Sequence, residues 1–157
     1  MHEKKSCVDC GAVQCSRHNS AYPDFCLTTA LSEEELDAVV ELYLHDEGIR
    51  RAAVASAEVE GKFYGAMTRV EEVLEFARRI GAKKIGVATC AGLIDESRIF
   101  ARIARLQGFE VFGVACKAGD VAKASIGIGE EYIRKQGESI CNPILQAKLL
   151  NKQQTDL

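Results

Sequence analysis

Residues 85–116 read IGVATCAGLIDESRIFARIARLQGFEVFGVAC and contain two short apolar runs on either side of a helical pattern. The runs Ile85–Cys90 and Val111–Cys116 are typical of short strands buried in a parallel sheet. Between them, residues 94–107 have the apolar spacing of a helix, and Gly108 follows as a stop signal. Strand, helix and strand form a βαβ unit, which predicts parallel strands joined by a right-handed crossover.

Four further helices are predicted around this unit, from capping boxes, from apolar spacing and from an Asn-Pro start signal. They begin near Ser32, Asp46, Thr68 and Asn142. The predicted fold class is α/β, with a small parallel, Rossmann-like sheet and flanking helices. Another strand is expected after the last helix of such a fold, so we expect either a domain truncated at its C-terminal end or an unusually small sheet.

The composition indicates one ordinary core and excludes several classes of function. The 157 residues are 47% hydrophobic, carry a formal net charge of −3 and contain no Trp. Nucleic-acid binding normally needs a basic face, so we expect no nucleic-acid partner. The sequence has no apolar run of about 18 residues, the length that spans a membrane. No apolar segment follows the charged start, so we expect no membrane partner, no secretory signal and a cytoplasmic location.

Four of the seven cysteines lie within the first 26 residues. The cytoplasm keeps thiols reduced, so this cluster predicts metal ligation rather than disulfides. Cys7, Cys10, Cys15 and Cys26 have the spacing Cys-x2-Cys-x4-Cys-x10-Cys, and His18 is an alternative ligand between the last two. The expected partner of this segment is therefore a metal ion.

Residues 1–31 have no sustained periodicity, so this cysteine-rich arm cannot bury much apolar surface. A metal can order such a segment, because its binding free energy becomes folding free energy. Four thiolates complete a tetrahedral zinc site, and zinc is the expected cofactor. They equally satisfy a [4Fe-4S] cluster, and the first three cysteines resemble the opening of the four-iron motif in corrinoid iron–sulfur proteins. The predicted organisation is a metal-binding arm, residues 1–31, and an α/β domain, residues 32–157.

The other three cysteines are predicted to meet at one edge of the sheet. Cys90 and Cys116 end the two predicted strands, and the carboxyl ends of parallel strands share the edge where ligands bind. Cys141 precedes the cap of the last helix, where the helix dipole favours a thiolate. All three are candidate catalytic residues, for which a second metal, a redox pair and a nucleophile stay open. The alternative is that they are ordinary small core residues.

Four motifs, in this order, are similar to those of an uncharacterised prokaryotic family. They are Cys7–Gly11 (CVDCG), Tyr22–Cys26 (YPDFC), Ala88–Leu93 (ATCAGL) and Cys141–Ile144 (CNPI). The family is a domain of unknown function whose members are described as metal-binding proteins. The resemblance implies metal binding and supplies no established reaction. It also implies that members continue past Leu157 with a strand ending in cysteine and histidine.

Three hypotheses of function follow from the sequence. The first is a metal-binding protein whose N-terminal site is structural or carries electrons. The second is a thiol- or metal-dependent enzyme or redox protein that uses Cys90, Cys116 and Cys141, and the sequence leaves open whether the chain is an enzyme. The third is an interaction module, in which the zinc-ordered arm docks a partner or a second subunit to form a homo-oligomer.

Overall fold

The structure, a computed structural model, describes residues 5–13, 15 and 21–157. It divides into two compact units, one up to Ala53 and one from Val54 to Leu157. The described residues contain six α-helices and a parallel sheet of two strands, which confirms the α/β class. The boundary after residue 31 stays a prediction. Among the described helices, none is both long enough and apolar enough to cross a membrane.

The first unit contains short helices that bury little surface. Helix α1 spans Leu27–Ala30, and α2 spans Glu33–His45. The predicted capping box of α2 is confirmed, because Glu35 N–H donates to the Ser32 hydroxyl at 3.2 Å and Ser32 N–H donates to the Glu35 carboxylate at 2.9 Å. None of the described residues up to Ala53 is buried.

Helix α3 spans Glu47–Phe63 and is longer than predicted at its C-terminal end. The Asp46 carboxylate caps its first turn by accepting the Ile49 N–H at 2.9 Å. Gly61 does not interrupt the helix, which ends before Gly65 adopts a left-handed backbone with φ +70°. An isolated glycine weakens a helix but does not stop it, whereas the left-handed turn does.

Helix α4 spans Arg69–Arg79 and begins at the second predicted capping box. Thr68 N–H donates to the Glu71 carboxylate at 2.7 Å, and the Thr68 hydroxyl accepts the Glu71 N–H at 3.4 Å. The predicted βαβ unit follows. Strand β1 spans Lys84–Thr89, α5 spans Ile94–Leu106, and β2 spans Glu110–Ala115.

The two strands pair in parallel, in register from Lys84 opposite Glu110 to Thr89 opposite Ala115. One face of the sheet, that of Ile85, packs against α4 and α5 and forms the core. The buried members of this core are Leu74, Ala77, Ala82, Ile85, Ala104 and Phe109. Alternate residues of a strand face opposite ways, so Gly86 faces the other side. There it approaches Leu150 of helix α6, which spans Pro143–Lys152.

The segment between β2 and α6 is loop, as predicted, with short 3₁₀ turns at Lys123–Ile126 and Glu130–Tyr132. The predicted start of α6 is confirmed, because the Asn142 side chain accepts the Leu145 N–H at 3.0 Å. After α6, the chain runs along the edge of β1 that does not face β2. Asp156 N–H donates to the Lys84 carbonyl at 2.9 Å, beside the sheet.

Candidate functional site

The first two cysteines of the N-terminal cluster share one tight turn. Cys7–Asp9 form a 3₁₀ turn, and Cys10 N–H closes it by donating to the Cys7 carbonyl at 3.2 Å. Ser6 N–H donates to the Asp9 carboxylate at 2.8 Å and holds the start of the turn. Cys10 follows the turn with an extended backbone, so the turn sets the two cysteines close together in the chain.

A second turn places Cys26. Its N–H donates to the Pro23 carbonyl at 2.9 Å, so the chain reverses just before α1. Between these residues, the Phe25 ring lies 5.6 Å from the Lys5 ammonium group. This cation–π contact joins the start of the arm to its end. The turn that begins at Cys7 and the turn that ends at Cys26 are therefore held near each other.

All four predicted ligands, Cys7, Cys10, Cys15 and Cys26, line one cavity of about 130 Å³. Apolar groups, including the Phe25 ring, complete its wall. Within residues 5–13, 15 and 21–157, no three His, Cys, Asp or Glu side chains stand close enough together to hold one metal ion. The alternative ligand His18 lies outside the described residues. The four cysteines therefore surround a cavity, and their side chains do not converge on the position of a single ion.

The Cys26 thiol has a perturbed acidity. Desolvation raises its pKa, but hydrogen bonds from the Thr28 side chain and from the backbone N–H groups of Thr28 and Thr29 outweigh this effect and lower the pKa below its usual value. The thiolate is the form that binds metals. The turn at the start of α1 therefore favours the ligating form of Cys26.

The segments that carry the three later cysteines meet at the carboxyl edge of the sheet. Cys116 follows β2 directly, and its N–H donates to the carbonyl of Thr89, the last residue of β1, at 2.8 Å. Asn142, the residue after Cys141, donates its N–H to the Cys116 carbonyl at 2.7 Å. Backbone hydrogen bonds thus join these segments, whereas a common site of the three thiols and a catalytic role for them stay predictions.

The thiols at this edge differ in their access to solvent. Cys116 is only 7% exposed, and its Sγ accepts the Ala91 N–H at 3.3 Å. Cys90 and Cys141 are both exposed. The alternative interpretation as ordinary core residues therefore describes Cys116 alone.

Most of the chain matches one known protein family. The sequence profile of a family described as protein of unknown function, DUF1847, matches residues 26–157. That range is well over half of the chain. This chain belongs to the DUF1847 family. The match begins at Cys26 and includes Cys90, Cys116 and Cys141, while the three earlier cysteines lie before it.

The DUF1847 chain is 39% identical over 119 residues to the uncharacterized protein MJ0455 of the archaeon Methanocaldococcus jannaschii. The alignment covers 76% of this chain and 60% of that protein, so the chain spans less than two thirds of its relative's length. No solved structure matches the chain. The resemblance to a family of unknown function is confirmed, and the family's description assigns no metal and no reaction.

The sequence did not indicate one residue that contacts the carboxyl edge of the sheet. Gln146 of α6 is buried, and its side-chain amide donates to the carbonyls of Thr89 and Val114 at 3.0 and 2.7 Å. It therefore ties α6 to the carboxyl ends of both strands. The available signal was an amide side chain between Leu145 and Leu149, in the apolar part of the helix.

Proposed function

We propose that this DUF1847 protein binds a metal centre through Cys7, Cys10, Cys15 and Cys26. The observation that carries the proposal is that all four cysteines, spread over twenty residues of sequence, line one small cavity. Thiolates are soft ligands that suit zinc and iron–sulfur clusters. The chemistry of the donor set therefore fits either centre, with His18 as an alternative ligand.

The energetics of the first unit support a bound centre. None of its described residues is buried, so apolar burial contributes little to its stability. Val13 lines the cavity with φ +48°, in the left-handed region that β-branched residues avoid. Such a conformation costs on the order of 1–3 kcal/mol and tends to occur at ligand sites. Metal binding would offset this cost and order the arm.

The cavity of about 130 Å³ has room for a group of several atoms, which supports a cluster as well as a single ion. Four thiolates would meet at one zinc ion, whereas in a [4Fe-4S] cluster each cysteine would bind a different iron. When bound, such a cluster carries electrons, whereas zinc would only order the arm.

The proposal also includes the metal-binding arm, the Rossmann-like sheet and the cytoplasmic location. Residues 1–31 form the metal-binding arm, and the βαβ unit is part of a Rossmann-like sheet whose carboxyl edge faces ligands. All seven cysteines are free thiols, which supports a reducing compartment such as the cytoplasm. The interaction-module hypothesis and the homo-oligomer stay predictions.

Elemental analysis of protein purified without oxygen or chelators tests the proposal. We expect roughly four irons and four sulfides per chain, with a brown colour. About one zinc per chain in colourless protein would support the metal centre and identify it as a zinc ion rather than a cluster. Folded protein with neither metal would overturn the proposal.

Variants locate the ligands. Cys10→Ser and Cys26→Ser should each lose most of the bound metal, because every thiolate fills one coordination position. Cys141→Ser is the matched control, since that cysteine is exposed and lies outside the cavity. His18→Ala should retain the metal if the four cysteines suffice. Loss of metal from the Cys141 variant, with retention in the Cys10 variant, would place the centre elsewhere.

A further inference from the structure

Cys90 and Cys116 are the first residues past the paired ends of the two strands. The last residues paired in the sheet are Thr89 and Ala115, and the Cys116 N–H bond to the Thr89 carbonyl, at 2.8 Å, belongs to this last pair. Cys90 keeps an extended backbone with φ −67° and ψ 143°. The Cys116 carbonyl accepts the Asn142 N–H at 2.7 Å, so the ladder ends here.

A disulfide requires two cysteines to lie side by side, with Cα atoms roughly 4.4–6.8 Å apart, a range that includes the spacing of about 4.8 Å between neighbouring strands. The Cys116 sulfur already lies beside the chain at Cys90, because it accepts the N–H of the next residue, Ala91, at 3.3 Å. Two thiols are sufficient for a disulfide.

The two thiols are also unequal in a way that suits exchange chemistry. Cys90 is exposed, whereas Cys116 is 7% exposed. An exposed thiol can attack an incoming disulfide, and a buried neighbour can resolve the mixed disulfide without competing for the substrate. We propose that Cys90 and Cys116 form a reversible dithiol–disulfide couple that exchanges with disulfide substrates. This site lies in the second unit and does not depend on the metal centre.

The exchange proceeds in two balanced steps. The Cys90 thiolate attacks one sulfur of the substrate disulfide, the S–S bond breaks, and the leaving thiolate takes up a proton. The Cys116 thiol then loses its proton and attacks the Cys90 sulfur, which expels the second substrate thiol. The protein gives up two electrons and two protons, and the substrate disulfide becomes two thiols. The reverse reaction oxidises a dithiol substrate.

Reaction of the reduced 157-residue chain, purified without oxygen or chelators, with hydroxyethyl disulfide tests the couple, with thiols and disulfides mapped by peptide mass spectrometry. We expect a Cys90–Cys116 disulfide. Cys116→Ser should stop at a mixed disulfide on Cys90, because no resolving thiol remains. Cys90→Ser should slow modification of Cys116 by roughly tenfold or more, since exchange requires access to the sulfur. Peptide mapping counts the N-terminal cysteines separately from these two.

Cys141→Ser is the control for a nearby exposed thiol and should still form the Cys90–Cys116 disulfide. A disulfide from Cys90 to Cys141 would overturn the proposal, as would equal modification of Cys116 with and without Cys90. Cys116 is buried, so Cys116→Ala serves as a second variant if the serine variant fails to fold. The Cys90 variant changes an exposed side chain and keeps the proposal testable in either case.

Discussion

Glu138 is a nearly buried carboxylate in the loop before α6, and it is surrounded by donors. The Arg134 backbone N–H donates to it at 2.9 Å, and the Lys123 ammonium and the Arg134 guanidinium lie 3.0 Å from its oxygens. These hydrogen bonds, led by the backbone N–H of Arg134, lower the pKa of Glu138 from 4.5 to about 2. Glu138 thus connects Lys123 and Arg134 and stabilises the loop that leads to Cys141.

At the residue scale, Glu138→Gln should destabilise the second unit in a pH-dependent way. The folded pKa lies below the unfolded one, so the stabilisation is present above pH 4.5 and is lost as the pH falls toward 2. Thermal unfolding from pH 7 to pH 2 should show a Tm deficit of several degrees at pH 7 that closes on acidification. Glu130→Gln, at an exposed position, is the control. An equal deficit at every pH would show that the charge is not responsible.

At the scale of elements, α6 is attached to the sheet by polar side chains and by close packing. Gln146 donates to one carbonyl of each strand, and the Lys84 ammonium group of β1 donates to the carbonyl of Gln153, the residue after α6, at 3.0 Å. A Cβ on Gly86 would lie 2.9 Å from the Thr155 hydroxyl oxygen, so β1 needs a glycine where the chain after α6 crosses it. The carboxyl edge therefore depends on the correct seating of this helix.

Gln146→Leu should destabilise the second unit by about 1–3 kcal/mol, because it leaves the Thr89 and Val114 carbonyls without their amide donor. Gln146→Glu should cost at least as much, since a carboxylate cannot donate to either carbonyl. Urea unfolding measures both variants. Asn151→Leu changes an exposed position of the same helix and should be close to neutral. An unchanged free energy of unfolding for Gln146→Leu would mean that these two hydrogen bonds do not help to hold α6 against the sheet.

At the scale of the whole molecule, the two units differ in what stabilises them. The second unit has a core of six buried apolar residues, whereas the first buries none of its described residues. Burial of apolar area is the main favourable term in folding, so we expect the second unit to depend on its own core. The first unit requires another source of stability, which the proposed metal centre would supply.

Removal of the metal should therefore affect only one end of the chain. After the metal is removed by oxidation and a chelator, we expect trypsin to cleave the segment from Lys5 to the start of α2 at least roughly tenfold faster. The Tm of the second unit should stay unchanged. Leu74→Ala is the reciprocal control, since truncating this core residue should cost about 2–5 kcal/mol and leave the metal content unchanged. Cooperative unfolding of the entire chain on chelation would contradict this division.

Much of the fold could be predicted because its signals are local. The capping boxes at Ser32 and Thr68 lie within four residues of sequence, and both form as predicted. The strands of the βαβ unit differ from the prediction by one residue at each end. The cysteine spacing likewise marked the residues that line the N-terminal cavity. Long-range partners could not be predicted in this way, because Gln146 lies 57 residues from Thr89.

The amino-acid sequence by itself determined the elements of this protein, its family and the four thiols of its N-terminal cluster, because periodicity, caps and spacing act over a few residues. Only the tertiary structure decided that Cys90 is exposed while Cys116 is buried, and that Gln146 joins both strand ends. These relations depend on the register of the strands and on which helix covers which face. Both are set by packing between residues far apart in the chain, where no local pattern records them.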